Sequence, residues 1–328
     1  MNAPRLLPCV VCVLGWLSLT VAGQDRDTSR RAPVEYRIGT GDSAGLQQLL
    51  AYSDEQLPIV SGHRGGATAG LPENCLATFQ HTVQHAFALL EVDPRYTKDG
   101  AIVLHHDARL ERTTTGQGLV ADRTLEELKQ LRLKDPSGLA TEWRIPTLDE
   151  ALDWARNRAV LVLDQKDIPV AARAAKIEEH RAEGYALLIV YNFRDVRACY
   201  ERNPNILMEV MIPDHERLAE FDRLGVPWRN VIAFVGHTPP RDTTLYDAIH
   251  ARGARCLVGT SRNLDRRVLE QRVERIDSLE PEYRAILGRG ADLFETDIPA
   301  ELGPLLYGRQ SEPAHRGRFL SIGTRSIP

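Results

Sequence analysis

From Ile59 onward the chain repeats one pattern: a short apolar run, then a longer stretch whose apolar residues recur three and four apart. The runs are Ile59–Gly62, Leu89–Asp93, Val160–Asp164, Leu187–Tyr191, Leu207–Ile212, Val231–Val235, Ala254–Val258 and Ala291–Glu295. Continuous apolar runs of this length suit strands buried on both faces, and the spacing between them suits helices, so the pattern reads as βα units on a parallel sheet. The helical stretches have one apolar face each: Leu76, Phe79 and Val83; Leu148, Ala151, Leu152 and Ala155; Leu245, Ala248 and Ile249. Eight repeats predict an α/β fold closed as a (β/α)8 TIM barrel. A chain of 328 residues, 43% hydrophobic, is long enough to form one such core.

The repeat is interrupted once. Residues 94–146 exceed a simple βα connection and hold an extended run at Ala101–His106, a Thr/Gly-rich turn and a helix from Thr124. This is an insertion after the second strand, at the end of the barrel where active sites are built. Before the barrel, residues 1–23 carry Arg5, an apolar run and a Val21-Ala22-Gly23 ending, the pattern of a secretory signal peptide. Residues 24–55 are a polar leader with a short helix expected over Ser43–Tyr52, 56–308 the barrel and 309–328 a basic tail. The mature chain is expected outside the cytoplasm, in a periplasm or the medium. Loss of Arg5 takes the net charge from −4 to −5, which argues against a nucleic-acid partner. Cys75, Cys199 and Cys256 remain, widely spaced and odd in number, so no disulfide framework is expected.

The polar residues at the strand ends point to phosphodiester chemistry. Glu91 and Asp93 are two apart on a strand, so both side chains leave one face at roughly 7 Å. Asp164 and Lys166 share a face in the same way after the third run. Three carboxylates from neighbouring strand ends suit a hard divalent cation, Ca²⁺ or Mg²⁺. His63 is followed by Arg64 and two glycines, which let backbone and guanidinium approach a phosphate. His106 ends the extended run of the insertion, with Asp107 placed to orient its ring, and alternation sends His105 to the other side. Two imidazoles supply the base and the acid that cleaving a phosphodiester requires. His180, His215 and His250 fall in helices and read as solvated.

His63-Arg-Gly, Pro72-Glu-Asn74, Glu91-Val-Asp93, Thr97-Lys-Asp-Gly100, His106-Asp107 and Arg112-Thr-Thr114, in that order, resemble the signature of glycerophosphodiester phosphodiesterases. Ile145-Pro-Thr-Leu148 and Glu295-Thr-Asp297-Ile-Pro299 are also similar to family segments, so the resemblance runs from about Ile59 to Tyr307. It implies a distorted (β/α)8 barrel with His63 and His106 as the acid/base pair, and Glu91, Asp93 and Asp164 as metal ligands. Arg64 and Lys166 match positions that contact phosphate. Glu73 matches the family's acid in its Pro-Glu-Asn segment, where it either takes part in catalysis or holds the first loop. Glu295 either lines the mouth or, as favoured here, pairs with Arg64 or Lys166. Asp164 stands where the family more often has glutamate. Cys75 replaces a common threonine, and the seventh run ends Val258-Gly-Thr-Ser-Arg262, without the tryptophan-containing pattern common in the family.

The expected reaction is metal-dependent hydrolysis of a small-molecule glycerophosphodiester to an alcohol and glycerol 3-phosphate. Three alternatives stand beside it. A lipid-directed phosphodiesterase of phospholipase C or D type would need membrane contact, which the 6% aromatic content and an insertion without a run of aromatics or a basic amphipathic helix do not indicate. A glycoside hydrolase would place its acids across a cleft, whereas Glu91 and Asp93 share a strand. A non-catalytic barrel binding phosphate ligands need not keep both histidines and all three acids. Head group, metal identity, oligomeric state and the assignment of acid and base are left open by the sequence.

Overall fold

The computed structural model describes Met1 and residues 34–54, 57–307 and 317–324. The expected signal peptide, 1–23, lies outside the described residues apart from Met1. By its contacts the chain divides into Met1–Ala32 and Pro33–Pro328, and every element belongs to the second unit. Strand β1 (Val34–Ile38) and helix α1 (Ser43–Leu50) come first, then β2 (Ile59–Gly62), α2 (Leu76–Val83) and β3 (Ala88–Val92). The insertion contributes β4 (Pro94–Tyr96), β5 (Ile102–Leu104) and α3 (Leu125–Gln130). After it come α4 (Leu148–Ala155), β6 (Val160–Leu163), α5 (Val170–His180), β7 (Ala186–Val190), α6 (Phe193–Arg202), β8 (Leu207–Met211), α7 (His215–Asp222) and β9 (Val231–Gly236). The chain continues through α8 (Thr244–His250), β10 (Arg255–Gly259), α9 (Leu264–Leu269), α10 (Glu280–Leu287), β11 (Leu293–Thr296), α11 (Pro299–Tyr307) and β12 (Leu320–Thr324).

The eight apolar runs are the eight strands of a closed parallel barrel in the order β2-β3-β6-β7-β8-β9-β10-β11, with ends that differ from expectation by no more than two residues. The helices bury the faces expected of them. Phe79 and Val83 of α2, Leu148 to Ala155 of α4 and Leu245 and Ile249 of α8 pack against the outer faces of the strands. Helix starts are marked chemically. Thr124 and Thr147 each form a reciprocal capping box with Glu127 and Glu150, which satisfies otherwise orphaned amides. Inside the barrel, Ile59, Leu89, Val160, Val162, Leu187, Leu207, Ile232, Leu257 and Leu293 fill the lower layers.

The leader and tail meet beneath this core. β1 pairs antiparallel with β12 from Val34↔Thr324 to Ile38↔Leu320, and Ile38, Leu46, Leu49, Leu50, Phe319 and Leu320 join the barrel-interior cluster. The N-terminal face is thereby plugged, and polar chemistry is left to the opposite face. The insertion folds as a hairpin, β4 against β5, over its own small core of Cys75, Val103, Leu110, Val120, Leu128, Leu133 and Ile145. Cys75, Cys199 and Cys256 are buried free thiols. Among the described residues no helix is long and apolar enough to cross a membrane.

Candidate active site

The strand ends at the C-terminal face surround a cavity of about 510 Å³ lined by His63, Arg64, Glu91, His106, Asp164 and Lys166, among others. Six of the seven primary residues read from the sequence face this one space. The seventh, Asp93, is wholly buried just beneath it. The Glu91, Asp93 and Asp164 carboxylates can bring one oxygen each within 4.8 Å of the others, as a shared cation requires. Burial, then the neighbouring charges of Asp93, Asp164 and Glu295, raise the Glu91 carboxyl well above its usual range. Such mutual repulsion in a closed space is what a divalent cation relieves, and the all-oxygen donor set fits a hard one.

The surrounding groups fix this trio. Asn74 donates from Nδ2 to Asp93 Oδ2 at 2.5 Å and accepts the Asp93 amide at 2.9 Å. Asp164 accepts from the Tyr191 hydroxyl at 2.5 Å and from the Gln165 amide at 2.7 Å. Lys166 pairs with Asp164 and, at 2.9 Å, with Asp93. The Arg64 amide donates to Glu91 Oε2 at 2.7 Å. Arg64 makes that bond at φ 52°, and Asn74, whose amide closes the loop onto the Arg64 carbonyl, sits at φ 55°. Left-handed conformations are common for asparagine and costly for arginine, so the backbone is strained at the point where it meets the acid trio.

Each histidine has its own carboxylate. His63 Nδ1 donates to Asp297 Oδ1 and His106 Nδ1 to Asp107 Oδ1, both at 2.7 Å. In each ring Nε2 is left for proton transfer. The two environments differ. Burial lowers the proton affinity of both, but at His63 the Asp297 hydrogen bond and the Glu295 charge outweigh it and the pKa is raised. At His106 burial prevails over Asp107 and Asp93, with Arg64 and Lys166 lowering it further. His105 turns away as expected, donating from Nδ1 to the Asp107 carbonyl, with Thr113 at 2.9 Å from Nε2.

Two sequence readings are corrected here. Glu295 does not pair with Arg64 or Lys166: Arg64 goes to Glu73 at 3.2 Å and Lys166 to the aspartates, while Glu295 lines the cavity 4.0 Å from His237 Nδ1. Two of the helical histidines are not solvated: the His250 ring stacks on Tyr52 at 3.7 Å and pairs with buried Asp292 at 2.9 Å, and the His180 ring is held between Asp149 at 2.9 Å and Asp153 at 3.1 Å. Glu73 grips Arg112 through two 2.8 Å hydrogen bonds, and Arg112 reaches on to both Asp107 oxygens, so Glu73 ties the first loop to the His106 support.

Several site residues carried no local signal in the sequence. Asp265, wholly buried on α9, accepts the Asp297 amide, the Thr296 hydroxyl and the Tyr283 hydroxyl at 2.7–2.8 Å, and so fixes the carboxylate that holds His63. Tyr191, Glu209, His237 and Arg262 reach the mouth from the ends of β7, β8, β9 and β10. Only the closed barrel brings them together.

Known proteins share this architecture. The profile of the "Glycerophosphoryl diester phosphodiesterase family" matches residues 63–278. A glycerophosphodiester phosphodiesterase of Caldanaerobacter subterraneus is 40% identical over 106 residues, 32% of this chain and 43% of that protein. Glycerophosphodiester phosphodiesterase 1 of Mus musculus is 36% identical over 117 residues, 34% of this chain and 35% of that protein. The chain thus spans less than half the length of these curated relatives. The crystal structure of a glycerophosphoryl diester phosphodiesterase from Parabacteroides distasonis superposes with TM-score 0.83 at 36% identity, over 88% of this chain and 99% of that one. An Oleispira antarctica phosphodiesterase, solved in complex with the product sn-glycerol-3-phosphate, shares the fold at TM-score 0.58 and 23% identity, over 76% of this chain and 97% of that one. With a profile match over about two thirds of its length, on a barrel whose mouth holds the paired histidines and the acid trio, the chain belongs to the glycerophosphoryl diester phosphodiesterase family.

Proposed function

We propose that the protein hydrolyses glycerophosphodiesters to an alcohol and glycerol 3-phosphate, with His63 and His106 as the proton-transfer pair and Glu91, Asp93 and Asp164 holding a divalent cation. The observation that carries this reading is the pair of carboxylate-held imidazoles on one cavity, directly above the acid trio. A bound cation would supply charge to a phosphate oxygen. Arg64 and Lys166 line the same cavity and are placed to neutralise the remaining phosphate charge, a role that strengthens as negative charge grows in the transition state. One imidazole removes a proton from the nucleophile and the other delivers one to the departing alkoxide; a water nucleophile gives glycerol 3-phosphate directly, and the glycerol 2-hydroxyl gives a cyclic phosphate that water opens in a second step. In the cation-free chain the state populated between the two titrations has His63 protonated and His106 neutral, one donor and one acceptor. We further read residues 1–23 as an export signal, which puts this reaction outside the cytoplasm.

The test is release of glycerol 3-phosphate from glycerophosphocholine and glycerophosphoglycerol by the chain from Gln24 onward, with chelator, Ca²⁺ or Mg²⁺, and with His106→Ala alongside. Cation-dependent release that falls more than tenfold in the variant is expected. Release that persists in chelator, or above a tenth of wild type in the variant, would overturn the assigned roles.

A further inference from the structure

Beside the main cavity a second chamber of about 190 Å³ lies among the ends of β7, β8, β9 and β11. It is several times the share of one water molecule, about 30 Å³, and has room for a small head group. Glu209, Met211 and Phe234 line it and not the main cavity, while Tyr191, His237, Arg262 and Glu295 line both, so the two spaces share a wall. Its hydrogen-bonding capacity is one-sided. The Tyr191 hydroxyl proton is already given to Asp164. Glu209, 4% exposed, has no hydrogen-bond or ion-pair partner among the described residues. The Glu295 carboxylate, 8% exposed, accepts no hydrogen bond among the described residues; His237 at 4.0 Å, His63 and Arg262 supply the positive charge nearest to it, and His237 Nδ1 is itself buried without a hydrogen-bond partner. Arg262 is exposed and lines both cavities, so its charge is shared with the phosphate end.

Buried polar groups are almost always satisfied, and two enclosed carboxyls with acceptor capacity to spare make a receptor for a cationic donor. We propose that this chamber is the head-group subsite and selects a primary ammonium, as in an ethanolamine diester. This rests on the phosphodiesterase reading above. A primary ammonium brings three N–H donors for Glu209, Glu295 and His237, and the Phe234 and Tyr191 rings flank it. A quaternary ammonium has no N–H to give, and a neutral polyol brings donors without charge. The departure of the β10 end from the family pattern falls at this chamber. Arg262 is on its rim, and a Cβ at Gly259 would stand 2.2 Å from His237 Nδ1, so bare backbone there is what admits the imidazole.

The experiment uses the Ca²⁺-loaded His106→Ala protein, titrated calorimetrically with glycerophosphoethanolamine, glycerophosphocholine and glycerophosphoglycerol, alone and with Glu209→Gln or Glu295→Gln added. The ethanolamine diester is expected to bind at least tenfold tighter than the other two, and either added substitution to cut that ratio below threefold. Equal affinities, a preference for the choline or glycerol diester, no measurable binding of the ethanolamine diester, or a preference that survives both substitutions would each overturn the subsite. Wild-type turnover of the same three diesters is read separately. Hydrolysis of none of them sinks the phosphodiesterase reading, whereas hydrolysis of all three with equal binding sinks the subsite alone.

Discussion

His63 and His106 look equivalent as letters in the sequence and are made unequal by what holds them. Asp107 is the next residue after His106, so that partnership could be read directly from the chain. Asp297 is 234 positions from His63 and becomes its partner only when the barrel closes. Asp265, on α9 and 32 positions before the Asp297 that it fixes, was hidden because no local pattern links the two. The acid trio was readable because Glu91 and Asp93 alternate on one strand, and Lys166 because it alternates with Asp164. Glu295 misled the reading because nothing local showed that Glu73 already occupies Arg64. The asymmetry has a kinetic consequence. The Asp297 hydrogen bond is the first of the forces that raise His63 against its burial, so Asp297→Asn lowers the His63 pKa. Whichever limb of the pH profile of kcat/KM His63 controls is expected to move to lower pH. Movement of the alkaline limb makes His63 the donor, and movement of the acid limb makes it the acceptor. A profile unchanged in both limbs would show that Asp297 does not tune the ring.

Periodicity revealed the barrel strands and their helices because each must bury a continuous apolar face whatever its partner. β1 and β12 went unread although Val34-Glu-Tyr-Arg-Ile38 and Leu320-Ser-Ile-Gly-Thr324 alternate as strands do, because each is only five residues long in polar surroundings and its partner lies nearly the whole chain away. The turn after β2 shows how much an element junction demands of single positions. Gly65 is at φ 89°, and a Cβ there would lie 2.4 Å from the Phe79 ring of α2. Strain in a positive-φ conformation costs a non-glycine residue roughly 1–2 kcal/mol, and overpacking a filled core roughly 1–3 kcal/mol. Gly65→Ala is therefore expected to destabilise the fold by about 2–5 kcal/mol, read as a lower urea midpoint at unchanged slope. Since Arg64 in the same turn donates its amide to Glu91, activity at permissive temperature is expected to fall as well. A variant with wild-type midpoint would mean that the turn and α2 can move apart, which the buried Phe79 contact argues against.

The two ends of the barrel divide the labour of the molecule: an apolar plug on one face, a crowded cluster of acids on the other. Removing residues 318–328 strips β1 of its partner and takes Phe319 and Leu320 out of the lower core. At roughly 1.5–3 kcal/mol for each large apolar side chain, this is expected to cost about 3–6 kcal/mol, while kcat at low temperature is retained because the site lies at the other face. A truncated protein that melts like the full chain would refute the plug. The opposite face makes stability depend on pH and cation together. Glu91 has a folded pKa raised well above 4.5, by burial first and neighbouring acids next. The folded chain thus keeps a proton that the unfolded chain has released, and stability falls as pH rises from about 4.5 towards the folded value. Glu209 acts in the same direction, and the raised His63 loses its contribution as pH rises through its folded pKa. A cation bound to the folded chain alone adds about 2.7 kcal/mol at a hundred times its Kd. To bind at Glu91 it must displace that proton, which is harder at low pH. The rise in Tm on adding Ca²⁺ or Mg²⁺ to chelated protein is therefore expected to be larger at pH 8 than at pH 6. A gain that is the same at both, or larger at pH 6, would remove Glu91 from the ligand set and leave its buried carboxyl to be satisfied through the Arg64 amide alone.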